Sequence, residues 1–233
     1  MGERVGSFRG KEPIIIVVPH GHDDPNTVEI GEQIISELGA YGVINYGWER
    51  SPKYDYYNDK ANCNNINHIH EDVVDSEFLK PILNYAAIIG VPNIFIIHGV
   101  SNLIKKQVPH PLDMIVGYGL GKKQNSITAR EDYVEYFIKI AQKAGYHMWV
   151  GKGGGNYSGR SKENLNQLFV QWYFNPYAFS VQIEIVKELR KTKHDAKVCG
   201  DQLANIIQDT VACRLKNSFP TTNYSLLNST PQI

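Results

Sequence analysis

The segment Pro13-Ile-Ile-Ile-Val-Val-Pro-His-Gly-His-Asp-Asp24 decides the fold of this chain. Its first half, residues 13–18, is a continuous apolar run rich in β-branched side chains, which predicts a strand buried on both faces. The polar residues 20–26 predict a loop, and apolar residues then recur at helical spacing over 28–38 until Gly39 ends the pattern. A strand that runs through a loop into a helix is the repeating unit of an α/β protein.

The same alternation of strands and helices continues along the chain. Further strands are predicted over residues 41–46, 93–97, 112–116, 146–150 and 180–186, and further helices over 73–89, 128–144 and 195–215. Thr128 and Glu131 have the spacing of a capping box at a helix start. We therefore expect one α/β domain over residues 1–216, with a mainly parallel or mixed central sheet flanked by helices, and a polar tail over 217–233.

The composition argues against several classes of protein. Among 233 residues, Lys and Arg number 24 and Asp and Glu number 24, so the net charge is zero and favours neither nucleic acid nor an anionic membrane as a partner. No apolar run approaches the roughly 20 residues that span a bilayer, and the polar N-terminal segment is unlike a signal peptide. Three cysteines without C-x-x-C spacing argue against a disulfide scaffold, so we expect a cytoplasmic protein, its oligomeric state left open.

Chemistry-bearing residues follow two of the predicted strands. His20 and Asp23 come after the first strand, three residues apart across Gly21, and His98 comes directly after the strand predicted over 93–97. Ligands of open α/β sheets bind at the carboxyl ends of the strands, so these side chains are expected to converge. Two histidines and a carboxylate form the ligand set of an open catalytic zinc site.

The spacing leaves alternatives open at this predicted metal site. Asp24 or His22 could replace Asp23 as the third ligand, because the loop is flexible and only spacing chooses between them. In an alternative without a metal, His20 caps a turn and His98 is hydrogen-bonded locally. Asp23 and Asp24 then cap the next helix.

The last predicted strand carries two polar residues on one face. In Val181-Gln-Ile-Glu-Ile185, Gln182 and Glu184 point one way and the three apolar residues the other. A carboxylate within an apolar strand is costly unless it is paired or used, and a partly desolvated acid suits a general base. The alternatives are an edge strand whose polar side chains face solvent, and a pairing of Glu184 with a buried cation, Arg50 or Lys187.

Two glycine-rich segments fail the tests for nucleotide binding. Residues 117–123 lack the spacing and the hydroxyl residue of a P-loop, and residues 151–155 lack the acidic residue that follows in a dinucleotide-binding fold. We expect both to be flexible loops near the site, with Tyr157 and Arg160 available to a substrate.

Taken in order, these pieces resemble the N-formylglutamate amidohydrolase-like family, within the larger group of zinc-carboxypeptidase-like hydrolases. The likeness runs from about Pro13 to Leu215 and covers nearly the whole predicted fold. It rests on short motifs in matching order: Pro19-His20-Gly21, Arg50 with Asp55 and Asn58, Ile97-His98-Gly99, Gly145-Tyr146, Gly159, and Gln182-Ile183-Glu184-Ile185.

The resemblance implies a role for each matching residue. One zinc ion per chain would be held by His20, Asp23 and His98. Glu184 looks like the late-strand glutamate that activates water, and Arg50 is similar to an arginine that neutralises a substrate carboxylate or a developing oxyanion. Further substrate-binding side chains are expected from two loops: Asp55, Asn58, Tyr157 and Arg160.

The expected function is that of a metal-dependent amidohydrolase cleaving a small, carboxylate-bearing N-acyl amino acid such as N-formylglutamate. Arg50, or Arg160 in its place, would bind the carboxylate with two hydrogen bonds. The nearest alternative is a zinc peptidase or amidase acting on cell-wall or γ-glutamyl peptides. A non-catalytic binding protein on the same fold is a further alternative, against which Glu184 argues because a binding protein needs no base.

Overall fold

The strand predicted over residues 13–18 lies near the centre of a sheet that has seven strands among the described residues. The structure, a computed structural model, describes residues 5–46, 63–64, 75–101, 108, 111–121, 126–151, 157–169 and 179–218. The strands are β1 Val5–Phe8, β2 Ile14–Val18, β3 Tyr41–Asn45, β4 Asn93–Val100, β5 Met114–Gly117, β6 Met148–Val150 and β7 Phe179–Val186. The α-helices are α1 Thr27–Leu38, α2 Lys80–Ile89, α3 Glu131–Lys143 and α4 Lys193–Ser218. Shorter turns are π-helical at Asp75–Leu79 and 3-10 at Leu165–Gln167 and Lys187–Arg190.

The sheet is mixed, with the strand order β1-β3-β2-β4-β7-β5-β6. Parallel pairing joins β3, β2, β4 and β7 in turn, and also β5 with β6. Strand β1 is antiparallel to β3, and β5 is antiparallel to β7. This confirms the predicted α/β fold with a mixed sheet flanked by helices. The carboxyl ends of β2, β4 and β7 lie side by side, at the edge where ligands of such sheets bind.

Two apolar layers cover the sheet. On one face, Ile16 and Ile183 belong to a cluster that includes side chains of α1, α3 and α4. On the other face, Ile15 packs in a second cluster with Phe78, next to α2. Consecutive strand residues alternate between the two clusters, as the pleat dictates. Residues Ile14–Val18 are at most 3% exposed, so the predicted burial of this strand on both faces is confirmed.

Three element boundaries differ from the prediction for physical reasons. The predicted capping box is wrong, because α3 begins at Glu131 and the Thr128 hydroxyl donates instead to the Ser180 carbonyl at 2.6 Å. Strand β4 continues past His98 because it pairs with β7 along its whole length. Helix α4 extends to Ser218, beyond the predicted end, and the rest of the predicted tail lies outside the described residues.

One strand was missed by the sequence analysis. The edge strand β1 has mixed polarity and only one buried residue, Gly6, so its four residues carry no clear alternating pattern. The other elements are present with ends shifted by a few residues, and the helix predicted over 73–89 begins with the π-helical turn before α2. Within the described ranges, no helix is both long and apolar enough to cross a membrane.

Candidate metal centre and general base

The loop between β2 and α1 is a helical turn that brings Asp24 back over His20. The carbonyl of His20 accepts hydrogen bonds from the backbone N–H groups of Asp23 at 3.0 Å and Asp24 at 2.8 Å. Thr27 joins this turn to α1 by donating its hydroxyl to the Asp24 carbonyl at 2.7 Å. In a helical turn, residues four apart lie on the same side, so Asp24 and not Asp23 faces the imidazole of His20.

Three side chains, here named the His–Asp cluster, meet at the carboxyl ends of β2 and β4. Asp24 Oδ2 lies 3.7 Å from His20 Nδ1 and 3.8 Å from His98 Nδ1, and the imidazole centroids are 5.0 Å apart. One ligand atom from each residue lies within 4.8 Å of the others, a spacing at which the three could hold one metal ion. The structure brings the two predicted histidines together, but the acid beside them is Asp24, the alternative left open, rather than Asp23. The other alternative, His22, is exposed and outside the cluster.

Burial and mutual contact set the charge state of the cluster. Burial alone would raise the pKa of Asp24, but its interactions with His20 and His98 outweigh burial and hold that pKa well below the ordinary value. Burial lowers the pKa of His98, against the opposing effect of Asp24, which favours the neutral imidazole. An ionised carboxylate beside a neutral imidazole is the combination that binds a metal ion.

The donor set of the cluster fits a metal, and one buried nitrogen of its rings has no partner in the described part of the chain. Among the described residues, His98 Nε2 is buried and has no hydrogen-bond partner. Leaving a buried nitrogen unpaired is costly, so such an atom in a folded protein calls for an explanation such as a bound ion. Two imidazoles and a carboxylate are a ligand set of Zn²⁺ that leaves a fourth position for water or substrate. The donor set of the cluster therefore fits zinc.

Glu184 lies beside the cluster on the neighbouring strand. It is aligned with His98 in the parallel pairing of β4 and β7, so the two side chains project to the same face. Strand β7 lies between β4 and β5, and Glu184 is only 8% exposed, so the edge-strand alternative is wrong. Burial, followed by the charge of Asp24, raises the pKa of Glu184 well above its ordinary value, against a smaller lowering effect of Arg190.

Within the described part of the chain, no lysine or arginine forms an ion pair with Glu184. Lys187, one of the two cations considered as a partner, is exposed in the turn after β7, which corrects that alternative. Arg50, the other, lies outside the described residues. A buried carboxylate of raised pKa, next to a candidate metal centre, has the properties of a general base.

A hydrogen-bond chain that the sequence analysis missed orients Glu184. Gln182 Nε2 donates to Glu184 Oε1 at 3.3 Å, and Gln182 Oε1 accepts from Asn164 Nδ2 at 3.1 Å. Asn164 also caps the 3-10 turn that follows it, accepting from the backbone N–H of Asn166 at 2.9 Å. The alternation in β7 indicated that Gln182 shares a face with Glu184, but Asn164 lies in a loop without a pattern that could have identified it.

The predicted substrate-binding residues are described only in part. Tyr157 is partly buried, and burial followed by the charge of Glu184 raises its pKa, so its phenol lies within the electrostatic reach of the candidate base. Arg160 is partly buried against the other glycine-rich segment, where a β-carbon added to Gly121 would lie 3.1 Å from Arg160 Nη1. The remaining predicted residues lie outside the described ranges: Arg50, Asp55 and Asn58.

The fold is shared with solved structures of low sequence identity. A bacteriophage poly-γ-glutamate hydrolase matches with a TM-score of 0.53 and 14% identity, over 91% of this chain and 88% of its own. N-formylglutamate amidohydrolase from Ralstonia eutropha JMP134 matches with a TM-score of 0.52 and 13% identity, over 88% of this chain and 98% of its own. A protein called YNDL, in a zinc-free form, matches with a TM-score of 0.50 and 15% identity, over 93% and 90%. No protein-family model matches the chain, and no curated protein matches it in sequence, so these likenesses establish the fold alone.

Proposed function

We propose that this protein is a metal-dependent hydrolase that cleaves the amide bond of a small N-acyl amino acid such as N-formylglutamate. One observation carries the proposal: the His–Asp cluster, with its buried and unpartnered imidazole nitrogen, lies next to the buried carboxylate of Glu184. Metal ligands and a base at adjacent strand ends are the two components that metal-assisted hydrolysis needs.

In the proposed mechanism, His20, Asp24 and His98 hold one zinc ion per chain. When bound, zinc lowers the pKa of a coordinated water toward about 7 and polarises the scissile carbonyl. Glu184 takes a proton from the attacking water as the oxygen bonds to the amide carbon, and gives it to the leaving nitrogen as the carbon–nitrogen bond breaks. Gln182 donates to Glu184 Oε1 and so holds the carboxylate in place for this proton transfer.

A substrate with a free carboxylate is supported by what the two neighbouring hydrolases act on. Their names give N-formylglutamate and poly-γ-glutamate, and both compounds are amides of glutamate. In this chain, we propose that Arg160 or Arg50 binds the carboxylate, since a guanidinium matches a carboxylate with two parallel hydrogen bonds. Tyr157 is proposed to contact the same substrate, because its pKa is raised by burial and by the nearby charge of Glu184.

The alternative substrate is a peptide with a γ-glutamyl or cell-wall amide bond. The likeness to the bacteriophage poly-γ-glutamate hydrolase favours it, because the fold is the same over 91% of this chain. A binding protein without activity is a weaker candidate, since burying Glu184 beside another carboxylate is costly and serves no purpose in simple binding.

The proposed location is the cytoplasm. Cys63, Cys199 and Cys213 form no disulfide with one another, and two of them are buried. Free cysteines without a disulfide are typical of a reducing compartment.

Metal analysis of the purified protein tests the metal centre. Elemental analysis is expected to find about one zinc per chain in the wild type and none in His20→Ala or His98→Ala. The matched control is His147→Ala, because His147 is exposed and pairs with Asp113 at 2.8 Å outside the cluster. A wild type without stoichiometric metal, or histidine variants that keep it in full, would contradict the proposal.

A substrate screen of the zinc-loaded protein separates the candidate activities. N-formyl and N-acyl amino acids are assayed beside γ-glutamyl peptides, each with and without the free carboxylate. Hydrolysis of the N-acyl amino acids supports the proposed function, and hydrolysis of the peptides alone selects the alternative. Binding without turnover of any of them favours the non-catalytic protein.

A further inference from the structure

Arg190 is a further buried charged residue, next to the candidate site. It ends the 3-10 turn that follows β7 and is only 4% exposed. Arginine is seldom buried so fully unless its donors are paired. The pairing of this guanidinium is therefore informative about what it does in the fold.

The guanidinium of Arg190 donates to backbone carbonyls from three separate segments. Nη1 donates to the Pro25 carbonyl at 2.6 Å, Nη2 to the Val100 carbonyl at 3.3 Å, and Nε to the Ile185 carbonyl at 3.1 Å. Pro25 follows Asp24 directly, Ile185 follows Glu184 directly, and Val100 lies two residues after His98. One side chain thus joins the three segments that carry the acidic ligand, the second histidine and the candidate base. The loop after β2 also bonds to the backbone of Arg190, since Asn26 Nδ2 donates to the Arg190 carbonyl at 2.8 Å.

The residue after His98 is shaped to admit this guanidinium. A β-carbon added to Gly99 would lie 2.3 Å from Arg190 Cζ, a distance at which one of the two groups has to move. The backbone N–H of Gly99 also donates to Asp24 Oδ2 at 2.9 Å. Gly99 therefore contacts the arginine on one side and the metal-ligand carboxylate on the other. A larger residue at this position would disturb both contacts.

The charge of Arg190 also acts on the site. Burial lowers the pKa of Arg190, and the nearby carboxylates of Asp24 and Glu184 oppose that effect. An arginine stays protonated in proteins, so a fixed positive charge lies behind the two acidic groups. This positive charge lowers the cost of burying the Asp24 and Glu184 carboxylates together at one edge of the sheet.

We propose that Arg190 is a positioning residue of the metal centre, which sets the spacing of Asp24 and His98 by tying the loop after β2 and the end of β4 to the end of β7. The proposal rests on the proposed function, because it assumes that the His–Asp cluster binds a metal. Residues that orient metal ligands in this way typically change metal affinity by about 10- to 100-fold when they are replaced.

Metal binding by three variants tests the proposal. Arg190→Lys keeps the charge but lacks the planar guanidinium, whose three separate nitrogens reach the three carbonyls. Arg190→Met removes both the charge and the donors, and Gly99→Ala displaces the guanidinium without changing it. Zn²⁺ affinity is measured by competition with a chelating dye, and Co²⁺ binding by its visible absorption, which reports ligand geometry. Each variant is expected to bind at least about tenfold more weakly than the wild type, with an altered Co²⁺ spectrum.

The matched control is Arg214→Met, which removes another buried arginine. Arg214 is 2% exposed on α4, and its Nη1 and Nη2 have no hydrogen-bond partner among the described residues. Its replacement is expected to change the melting temperature and leave Zn²⁺ affinity and the Co²⁺ spectrum unchanged. A general loss of packing would weaken metal binding by Arg214→Met as much as by the Arg190 and Gly99 variants. The contrast therefore separates a positioning role from an effect on stability.

The outcomes distinguish this proposal from the proposed function. If the wild type binds metal and Arg190→Lys and Gly99→Ala bind it within twofold of the wild type with an unchanged Co²⁺ spectrum, the positioning role is overturned and the metal centre stands. If the wild type binds neither Zn²⁺ nor Co²⁺, the proposed function fails and this proposal fails with it. Should Arg190→Met not fold, the other two variants decide the matter.

Discussion

Two buried groups of polar side chains adjoin β7, one near each end, and they differ in how fully their atoms are paired. Near the start of the strand, Asn166 Nδ2 donates to Thr128 Oγ1 at 2.9 Å, and the Ser180 hydroxyl donates to Asn166 Oδ1 at 2.5 Å. None of the buried polar atoms in this group, here named the asparagine network, lacks a partner. In the His–Asp cluster near the other end, the contacts between side chains are 3.7 and 3.8 Å long, and His98 Nε2 has no partner among the described residues.

The difference separates a polar group that stabilises the fold from one that is built to bind. The asparagine network is neutral and its buried polar atoms are all paired, so it lowers the free energy of the folded chain without any ligand. The His–Asp cluster is charged and has a buried nitrogen without a partner in the described part of the chain, which is costly in a buried site unless a further group binds there. A hydrogen-bond chain runs from Asn166 through Asn164 and Gln182 to Glu184, which lies beside the His–Asp cluster. Substitutions in each group therefore test whether the two respond independently.

The largest effect is expected from Glu184→Gln. Glutamine keeps the size of the side chain and an oxygen for the Gln182 amide, but it cannot accept a proton from water. Turnover should fall by roughly 10²–10⁴-fold, or about 3 to 5 kcal/mol of barrier, with zinc content and fold intact. Rate, zinc content and melting temperature are measured on one preparation. A soluble, zinc-loaded variant that turns over within a few-fold of the wild type would rule out Glu184 as the base.

A smaller effect is expected when the two neighbouring aspartates are compared. Asp24→Asn weakens a metal ligand and should lower Zn²⁺ affinity roughly 100-fold, about 2.7 kcal/mol. Asp23→Asn is the matched control one residue away, and its affinity should stay within about threefold of the wild type, in a comparison by the same dye competition. A larger loss from Asp23→Asn than from Asp24→Asn would restore Asp23 as the ligand and contradict the geometry of the turn.

The asparagine network should respond in the opposite way. Asn166→Ala leaves the hydroxyls of Thr128 and Ser180 without their amide partner and is expected to cost about 1 to 3 kcal/mol of unfolding free energy. Urea denaturation measures this loss, and dye competition on the folded variant should show unchanged Zn²⁺ affinity. If the affinity falls together with the stability, the two groups are coupled through Gln182 and the comparison breaks down.

Strands β2 to β7 and the two histidines were predictable because their signals are local. The apolar run of β2 requires burial on both faces wherever it lies in a sheet, and the alternation in β7 places Gln182 and Glu184 on one face. His20 and His98 follow predicted strand runs, and the carboxyl ends of parallel strands lie at one edge of an α/β sheet. These inferences need only the next few residues along the chain.

The rest depends on contacts between segments that are distant in sequence. Thr128 has the spacing of a capping residue, but the Ser180 carbonyl, 52 residues away, accepts its hydroxyl instead. The choice of Asp24 over Asp23 follows from the backbone bonds of one turn, which spacing does not reveal. Arg190 donates to the Pro25 carbonyl across 165 residues, so no local pattern marks it.

The smallest effect is expected in the stability of the metal-free protein. Burial and the charge of Asp24 raise the pKa of Glu184 above its ordinary value of 4.5, so the folded state holds this proton more tightly than the unfolded state does. As pH rises through the window above 4.5, the unfolded chain loses the proton first, and the stability of the wild type therefore falls through that window. Glu184→Gln has no such proton to lose.

The melting temperature of metal-free Glu184→Gln should accordingly rise relative to the wild type between about pH 4.5 and pH 7, and lie close to it at the acidic end. Differential scanning calorimetry in a chelating buffer measures both proteins at each pH. Glu77→Gln, which removes the charge of an exposed glutamate, controls for the change in net charge and should show a difference that hardly varies with pH. A difference in melting temperature between Glu184→Gln and the wild type that stays constant or shrinks as pH rises would show that the folded protein does not disfavour the Glu184 carboxylate. The contrast between the charged His–Asp cluster and the neutral asparagine network would then lose its electrostatic basis.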